Sequence, residues 1–260
     1  MSLQPGEKIG IILDTETTGL DYRRHEIIEL GMVMFTYGAE GIRDVVGVFD
    51  ELREPGEPIA PDITRITGIT DDMVAGQSID PAAVADFVAP ADLVIAHNAR
   101  FDRPFCETFA SGFDLKAWAC SNQEVDWRAF GFEGSKLGYL VGQCGLFHNG
   151  HRAIDDCHAL LEVLAFQHEA NGCAFPHLVA SAAKRRCRIW AQHSPFDLKD
   201  ALKARGYRWN DGSDGRPKSW WTEIDEEGFD NECHFLREEI YRQDIDPHLE
   251  WLTGVERYRA

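Results

Sequence analysis

Runs of apolar residues dominate the first fifty positions of the chain. Residues 8–14 (KIGIILD) predict a buried strand, residues 25–36 (HEIIELGMVMFT) a longer and partly alternating strand, and residues 42–49 a third strand. Short, turn-rich stretches separate these runs. The pattern therefore predicts three antiparallel strands at the start of a mixed sheet.

Helix start signals follow a proline-rich connection at residues 53–62. Thr70 is followed by two aspartates, which suit the first turn of a helix, and Asp80 is followed by Pro81. Each is a typical N-cap arrangement. Residues 92–96 (DLVIA) then predict a short buried strand.

Three further helices are predicted in this region. One begins near Asp102, a second covers residues 136–144, and residues 151–170 predict a longer helix with one apolar face. A meander of strands followed by strands and helices in alternation predicts a three-layer α/β domain. We assign this domain to residues 1–175.

A small second module is predicted over residues 176–260, where the composition changes. Residues 184–223 contain ten Lys or Arg and five Asp or Glu, a local charge of +5. Residues 194–206 predict a helix, residues 207–224 a hairpin of two aromatic strands, and residues 230–242 a final helix. The module is therefore expected to be α+β.

The composition is that of a globular protein. Of the 260 residues, 44% are hydrophobic and 27% are charged, and no apolar run approaches the roughly 18 residues that would cross a membrane. Seven cysteines without a CxxC pair fit reduced thiols, so we expect a cytoplasmic protein. The formal charge of −18 opposes non-specific binding to nucleic acid. A polyanionic substrate would have to be held locally.

Two carboxylates end the first predicted strand. Residues two apart on a strand face the same side, so Asp14 and Glu16 point together at the end where α/β sheets open their binding crevice. Paired carboxylate oxygens suit Mg²⁺ or Mn²⁺. Two acidic residues at this spacing also occur in ordinary solvated turns when no other motif accompanies them. Two further acidic positions strengthen the interpretation as a metal site. Asp102 follows the short strand at 92–96, and Asp156 lies five residues after His151.

Three motifs carry a resemblance to a known family. "DTETTG" at residues 14–19, "HNARFD" at 97–102 and "HRAIDD" at 151–156 resemble the exonuclease motifs of the DnaQ-like 3′-5′ exonucleases of the DEDDh subgroup, which includes the proofreading epsilon subunit of bacterial DNA polymerase III. The resemblance covers roughly residues 8–170. It implies an RNase H-like three-layer domain and a metal-dependent hydrolase of phosphodiester bonds.

The resemblance also implies the roles of particular residues. Two divalent ions, Mg²⁺ or Mn²⁺, would be held by four carboxylates, and His151 would be the general base, because histidine side chains can accept a proton near neutral pH. The implied metal ligands are Asp14, Glu16, Asp102 and Asp156. The H-x4-D spacing of the family selects Asp156 over its neighbour Asp155. The implied contacts with the terminal nucleotide come from Thr17, Thr18, Gly19, Leu20 and Asn98. For Asn98 the alternative role is to position the helix that carries Asp102.

The sequence leaves the substrate and three histidines open. A free 3′ end of single-stranded DNA is favoured, with RNA or short oligonucleotides as the alternative and a silent nuclease fold used for docking ranked last. A polymerase or repair protein is the implied partner, and no membrane is involved. His97, His148 and His158 are at least as well explained as structural histidines.

The second module admits two interpretations. Its basic residues are interleaved with aromatic ones, as in surfaces where bases stack and cations reach phosphates. The same aromatic residues could equally form the core of a small hairpin-and-helix module, and a protein-docking role is also compatible. The residues concerned are Trp190, Tyr207, Trp209, Trp220 and Trp221.

Overall fold

The apolar runs of the first fifty residues form the antiparallel meander that they predict. The computed structural model describes residues 4–148, 150–168 and 171–259. It begins with three strands, β1 (Lys8–Thr17), β2 (Ile27–Gly38) and β3 (Gly41–Leu52). β1 pairs with β2 and β2 pairs with β3, both in antiparallel orientation. Two strands, β4 (Leu93–Ala96) and β5 (Ala117–Cys120), extend the sheet in parallel from β1. The order β3-β2-β1-β4-β5 makes this a mixed sheet with β1 at its centre.

Helices follow the strands along the chain and cover the sheet. The helices of this part are α1 (Pro61–Thr67), α2 (Asp71–Val74), α3 (Pro81–Val88), α4 (Ala99–Phe109), α5 (Ser121–Glu124), α6 (Leu137–Gln143), α7 (Ala153–Ala165) and α8 (Phe175–Ala183), with a 3₁₀ turn at Phe113–Leu115. The predicted caps are present: the backbone N–H groups of Met73 and Ala82 donate to the Thr70 and Asp80 side chains. These bonds satisfy amides that α2 and α3 would otherwise leave unpaired.

Two apolar clusters on opposite faces of the sheet make the domain three-layered. One cluster joins Ile12 and Val33 to side chains of α6, α7 and α8. The other joins Ile11 and Leu13 to side chains of α3 and α4. Alternate residues of β1 thus enter different cores, as the period of a strand requires. The predicted three-layer α/β architecture is confirmed.

The second sheet belongs to a smaller unit at Ala183–Gly254, and the rest of the chain, Met1–Ala182 with Val255–Ala260, forms the larger unit. The smaller sheet has the order β7-β8-β6-β9 and pairs antiparallel. Its elements are β6 (Arg186–Ala191), α9 (Lys199–Ala204), β7 (Arg208–Trp209), β8 (Trp220–Asp225), α10 (Phe229–Phe235) and β9 (His248–Leu252), with 3₁₀ turns at Phe196–Leu198 and Glu226–Gly228 and a π-helical continuation of α10 at Leu236–Tyr241. The unit is α+β, and β7 and β8 form the predicted hairpin.

The compact units are divided later than the predicted boundary at residue 175. Phe175 and Leu178 of α8 pack in the core of the larger unit, so this helix belongs with the first domain. Tyr258 likewise packs with the cluster on the α4 side of the first sheet. The smaller unit is therefore inserted between two parts of the larger one, a topology that local composition does not reveal.

Several elements differ from the sequence prediction. The helix predicted over residues 151–170 begins at Ala153 and ends at Ala165, because His151 has a left-handed φ of 69° and Phe166 leaves the helical region at ψ 132°. Residues 169 and 170 of that prediction lie outside the described residues. Strands β5 and β6 were not predicted from the sequence. β5 has only four residues, too few to show an alternating pattern, and β6 lies within a stretch rich in basic residues.

No helix within the described ranges is long and apolar enough to span a membrane.

Candidate active site

Asp14 and Glu16 share one face of β1, near the strand's carboxyl end. Ile12 on the same face packs in the α7-side core, whereas Leu13 packs in the core on the other side. The intervening Thr15 therefore points away from the pair and is buried. The predicted convergence of the two carboxylates is present.

Asp102 is brought to this end of the sheet by the parallel pairing of β1 and β4. Helix α4 starts directly after β4, and Asp102 lies in its first turn with 2% of its surface exposed. Its Oδ1 accepts hydrogen bonds from the backbone N–H of Thr15 at 3.1 Å and from Thr15 Oγ1 at 2.9 Å. Thr15 thus fixes the Asp102 carboxylate beside the β1 pair.

Asp156 reaches the site because α7 packs closely against β2. Gly31 lies opposite Asp14 in the register of β1 and β2. A Cβ atom at Gly31 would lie 2.5 Å from the backbone carbon of Ala153 and the nitrogen of Ile154. Because contacts that short do not occur, glycine is needed here for the first turn of α7 to approach the strand.

A partly buried ion pair holds the same turn of α7. Glu29 is fully buried and lies opposite Glu16. Arg152 donates to Glu29 Oε1 from Nε at 2.8 Å and from Nη2 at 2.6 Å, and the N–H of Ala153 donates to Glu29 Oε2 at 2.9 Å. Glu29 therefore accepts a backbone hydrogen bond at the start of α7 and anchors Arg152 and Ala153.

Two histidines contact Asp156 from the segment before α7. The backbone N–H of His151 donates to Asp156 Oδ2 at 3.3 Å, and this contact accompanies the left-handed backbone of His151. His148 Nε2 lies 2.9 Å from Asp156 Oδ1. His148 is therefore a polar neighbour of the site, a feature that the sequence left open.

Burial raises the pKa of every carboxyl group in the cluster. Burial is the largest cause for each, and for Asp14 and Glu16 the neighbouring carboxylates add to it. The pKa of Glu16 rises to about 8 and that of Asp102 to about 7, and the pKa values of Asp14 and Asp156 are raised as well. The cluster therefore concentrates negative charge that a bound cation would stabilise.

The donor set fits a divalent metal ion. One ligand atom each from Glu16, His151 and Asp156 lies within 4.8 Å of the others. Carboxylate oxygens are the preferred ligands of Mg²⁺ and Mn²⁺. The raised pKa values of Asp14 and Glu16 indicate that the basic side chains of the protein do not neutralise the negative charge of these carboxylates.

A cavity of about 780 Å³ opens beside the cluster. His148, His151 and Asp156 line it on one side, and residues 135–139 on another. His97 also lines it, but its ring nitrogens contact Ser121 Oγ at 2.9 Å and the Ser135 carbonyl oxygen at 2.7 Å, and burial lowers its pKa. Those contacts agree with a structural, neutral His97.

The threonine turn after Glu16 is fixed by its own hydrogen bonds. Thr17 Oγ1 donates to the Gly19 carbonyl oxygen at 2.7 Å, and Thr18 Oγ1 accepts from the N–H of Glu26 at 3.0 Å. A Cβ atom at Gly19 would lie 2.5 Å from the His25 ring, so glycine is required by a protein contact. Leu20 projects outward with 85% of its surface exposed.

Asn98 is exposed at the N-cap position of α4, where its side chain makes no capping hydrogen bond. Its predicted alternative role in orienting the helix of Asp102 therefore has no support from a cap contact. A role toward a ligand stays a prediction.

Four residues of the site were missed by the sequence analysis. They are Thr15, Glu29, Gly31 and Arg152, which act through other site residues. Glu29 did carry a signal, since an acidic residue inside the apolar run IIELGMVMF must find a buried partner. Thr15 gave no comparable signal, because its partner is 87 positions away.

The mixed α/β sheet with carboxylates at the end of its central strand agrees with the predicted nuclease. The exonuclease family model (RNase_T) matches residues 11–164, and the chain belongs to this family. The resemblance to DnaQ-like exonucleases and the RNase H-like fold are thereby confirmed, and the protein is a 3′-5′ exonuclease.

The chain is also similar to individual curated proteins and to a solved structure. The DNA polymerase III subunit epsilon of Treponema pallidum (strain Nichols) is 33% identical over 187 residues, which cover 66% of this chain and 84% of that protein. The PolC-type DNA polymerase III of Thermotoga maritima is 28% identical over 174 residues, but these cover only 12% of that protein. The solved structure of exonuclease X with 5′-overhanging duplex DNA has a TM-score of 0.50 at 23% identity, and covers 66% of this chain and 99% of that chain. That likeness shows the fold.

Proposed function

We propose that this protein removes nucleotides from the 3′ end of single-stranded DNA in a reaction that depends on two divalent cations. The observation that carries the proposal is the convergence of Asp14, Glu16, Asp102 and Asp156, whose pKa values are all raised by burial. A cluster of this kind is costly to maintain without cations. Its persistence in a soluble fold is explained by a role in holding them.

The four carboxylates would hold the two ions. When bound, such ions lower the pKa of water, neutralise the non-bridging phosphate oxygens and stabilise the leaving oxygen. Thr15 keeps the Asp102 carboxylate oriented. The Glu29–Arg152 ion pair holds the start of α7 against β2, so that Asp156 faces Glu16.

His151 would accept the proton of the attacking water at a ring nitrogen. The water oxygen bonds to phosphorus, the bond from phosphorus to the 3′ oxygen of the preceding nucleotide breaks, and that oxygen takes up a proton. A ring nitrogen of histidine is a suitable acceptor for this first proton. The turn at Thr17–Gly19, with Leu20 and Asn98, would hold the terminal nucleotide.

Proofreading or repair is the cellular role we propose, with a DNA polymerase or repair protein as partner and a cytoplasmic location. The support is the 33% identity to a polymerase III epsilon subunit over 84% of that protein.

The test follows 5′-labelled single-stranded DNA and RNA of the same sequence with Mg²⁺, Mn²⁺ or EDTA. We expect a metal-dependent ladder that shortens from the 3′ end of DNA. Asp156→Asn should abolish it, whereas Asp155→Asn, a matched change one position away on the same helix, should not. A ladder on RNA alone would assign an exoribonuclease. No shortening of either strand would refute the proposal and favour a docking role.

A further inference from the structure

A strip of exposed and half-buried aromatic and basic residues lies on the smaller unit. We call it the aromatic-basic strip and define it by Phe196, Lys199, Lys203, Trp209 and Trp220; Lys199 and Trp220 are half-buried and the other three are exposed. Lys199 Nζ lies 4.1 Å from the Phe196 ring centroid, and Lys203 Nζ lies 5.8 Å from that of Trp220. Lys199 and Lys203 are four residues apart on α9, so they project from the same face.

The strip continues across the hairpin of β7 and β8. Trp209 pairs with Trp220 in the strand register, and their ring centroids are 5.6 Å apart at 63°. Arg208, the neighbour of Trp209 on β7, faces the other side of the hairpin, where its guanidinium carbon lies 6.0 Å from the Trp221 ring centroid. The contacts along α9 and between Trp209, Trp220 and Lys203 join the five residues of the strip into one surface.

Core packing does not account for the outer aromatic residues. Trp190 and Tyr207 are 2% and 3% exposed and serve as core side chains. In contrast, Phe196 is 77% exposed and Trp209 is 51% exposed. Two large apolar side chains left at the surface beside lysines indicate a surface kept for contact with a ligand.

The charge of the strip identifies the kind of ligand. The strip presents Lys199 and Lys203 in a protein with 44 acidic against 26 basic residues. Most other basic residues of the stretch 184–223 are ion-paired, for example Arg186 with Asp225 and Arg205 with Glu232. Asp200, 4.0 Å from Lys203, is an acidic neighbour. Cores of protein–protein interfaces are depleted in lysine, whereas surfaces for single-stranded nucleic acid combine lysine and arginine with aromatic rings.

We propose that the aromatic-basic strip binds a single strand of nucleic acid. Lys199 and Lys203 contact its phosphates, and Phe196 and Trp209 stack on unpaired bases. A duplex does not offer free base faces, so the strip favours single strands. The proposal goes beyond the exonuclease reaction, because the strip contains none of the residues of the carboxylate cluster.

The test measures binding of the full chain to a 5′-fluorescein-labelled single strand of about 20 nucleotides by fluorescence anisotropy. EDTA removes divalent cations, so the assay measures binding without cleavage of the strand. Its outcome is therefore independent of whether the protein proves to be an exonuclease. Homopolymers of deoxythymidine and of uridine form two arms, and a duplex forms a third. Binding of either single strand that depends on the strip supports the proposal, and the arms show which sugar it accepts.

Two variants probe the two kinds of contact. Trp209→Ala should weaken binding by about 5- to 150-fold, the equivalent of ~1 to 3 kcal/mol of lost stacking. Lys199→Ala with Lys203→Ala should reduce the slope of log K against log salt by about 1.4, roughly 0.7 for each lost phosphate contact.

Matched controls are Leu115→Ala, which removes another exposed apolar side chain, and Arg242→Ala, which removes an exposed cation of the same unit. Both should bind as the wild type does. Phe196→Ala, at a 77% exposed position, serves as the second stacking variant should Trp209→Ala fail to fold. Wild-type affinity in the folded strip variants, absence of single-strand binding at low salt, or equal binding of the duplex would overturn the proposal.

Discussion

Asp155 and Asp156 are adjacent and chemically identical, yet they occupy different surroundings. Asp156 contacts His148 and the backbone of His151, and it belongs to the group with Glu16. Asp155 lies with His158 along a separate cavity. About 100° of rotation per residue on a helix is the physical reason. Motif spacing selected Asp156, and the structure supplies its neighbours.

His151 offers a sharp test at the same scale. We expect His151→Gln to lower kcat by about 10²- to 10⁴-fold, the usual contribution of a general base. The affinity for Mn²⁺, measured by calorimetry, should not change if His151 moves a proton only. A fall in that affinity would identify His151 as a ligand in the group with Glu16 and Asp156.

His158→Gln is the matched control, because His158 is an exposed histidine later on the same helix. It should retain wild-type kcat. A His151→Gln enzyme with wild-type kcat would contradict the assignment of the base.

The raised pKa of Glu16 predicts how the metal-free protein responds to pH. Its folded pKa of about 8 exceeds the ordinary value of 4.5, so folding favours the protonated form. The stabilising contribution is complete below the ordinary value and is lost as the pH rises through the folded value. Asp102, with a folded pKa of about 7, acts in the same direction.

In EDTA, we therefore expect the melting temperature to fall between about pH 5 and about pH 8, and Glu16→Gln to fall less steeply. Glu40→Gln, at an exposed turn, should follow the wild type. Mg²⁺ should raise the melting temperature most at the upper end of this range. Equal slopes for Glu16→Gln and the wild type would contradict the expected role of this carboxyl group.

At the scale of elements, the close packing of α7 on β2 determines where the site forms. Gly31 and Glu29 lie on β2: Gly31 leaves room for the first turn of α7, and Glu29 accepts a hydrogen bond from it. The periodicity of residues 153–165 predicts that a helix forms but not which strand it contacts. That choice depends on a missing side chain in β2, 122 positions before Ala153.

Gly31→Ala should displace α7, since its Cβ would meet backbone atoms that cannot move alone. We expect a loss of about 1 to 3 kcal/mol in the free energy of unfolding, typical of overpacking, and a larger proportional loss of exonuclease activity. Denaturant unfolding and the strand-degradation assay measure the two effects.

Gly47→Ala is the control on the same sheet. Its Cβ would lie 3.2 Å from the Phe87 ring, a side chain that can shift. We expect near-normal activity there. Equal activity of the Gly31→Ala and Gly47→Ala proteins would show that the position of α7 does not limit catalysis.

At the scale of the whole molecule, the segment after the smaller unit completes the larger one. Arg257 donates to Glu124 Oε2 at 2.8 Å, Tyr258 donates to Glu124 Oε1 at 2.6 Å, and all three side chains are buried. Arg103, next to the site residue Asp102, donates to the Val255 carbonyl oxygen at 2.7 Å. The larger unit therefore includes partners from both sides of the insertion.

Arg257→Met should cost on the order of 3 kcal/mol, because Glu124 would remain buried without its cation. For a protein of this size the melting temperature should fall by about 6 to 12 °C. Arg259→Met, at a position where the side chain is 42% exposed, should cost less than about 1 kcal/mol. Equal melting temperatures for the two variants would show that the buried pair is not a major source of stability.

The sequence by itself determined the strand meander, the order of the three motifs and the residue types of the carboxylate cluster. These features are local, since a strand period or a capping signal is complete within about ten residues. The tertiary structure alone decided that Thr15 binds Asp102, that Glu29 binds Arg152 and that Arg257 binds Glu124. The partners in these pairs are 87, 123 and 133 positions apart, and only the folded chain brings them within hydrogen-bonding distance.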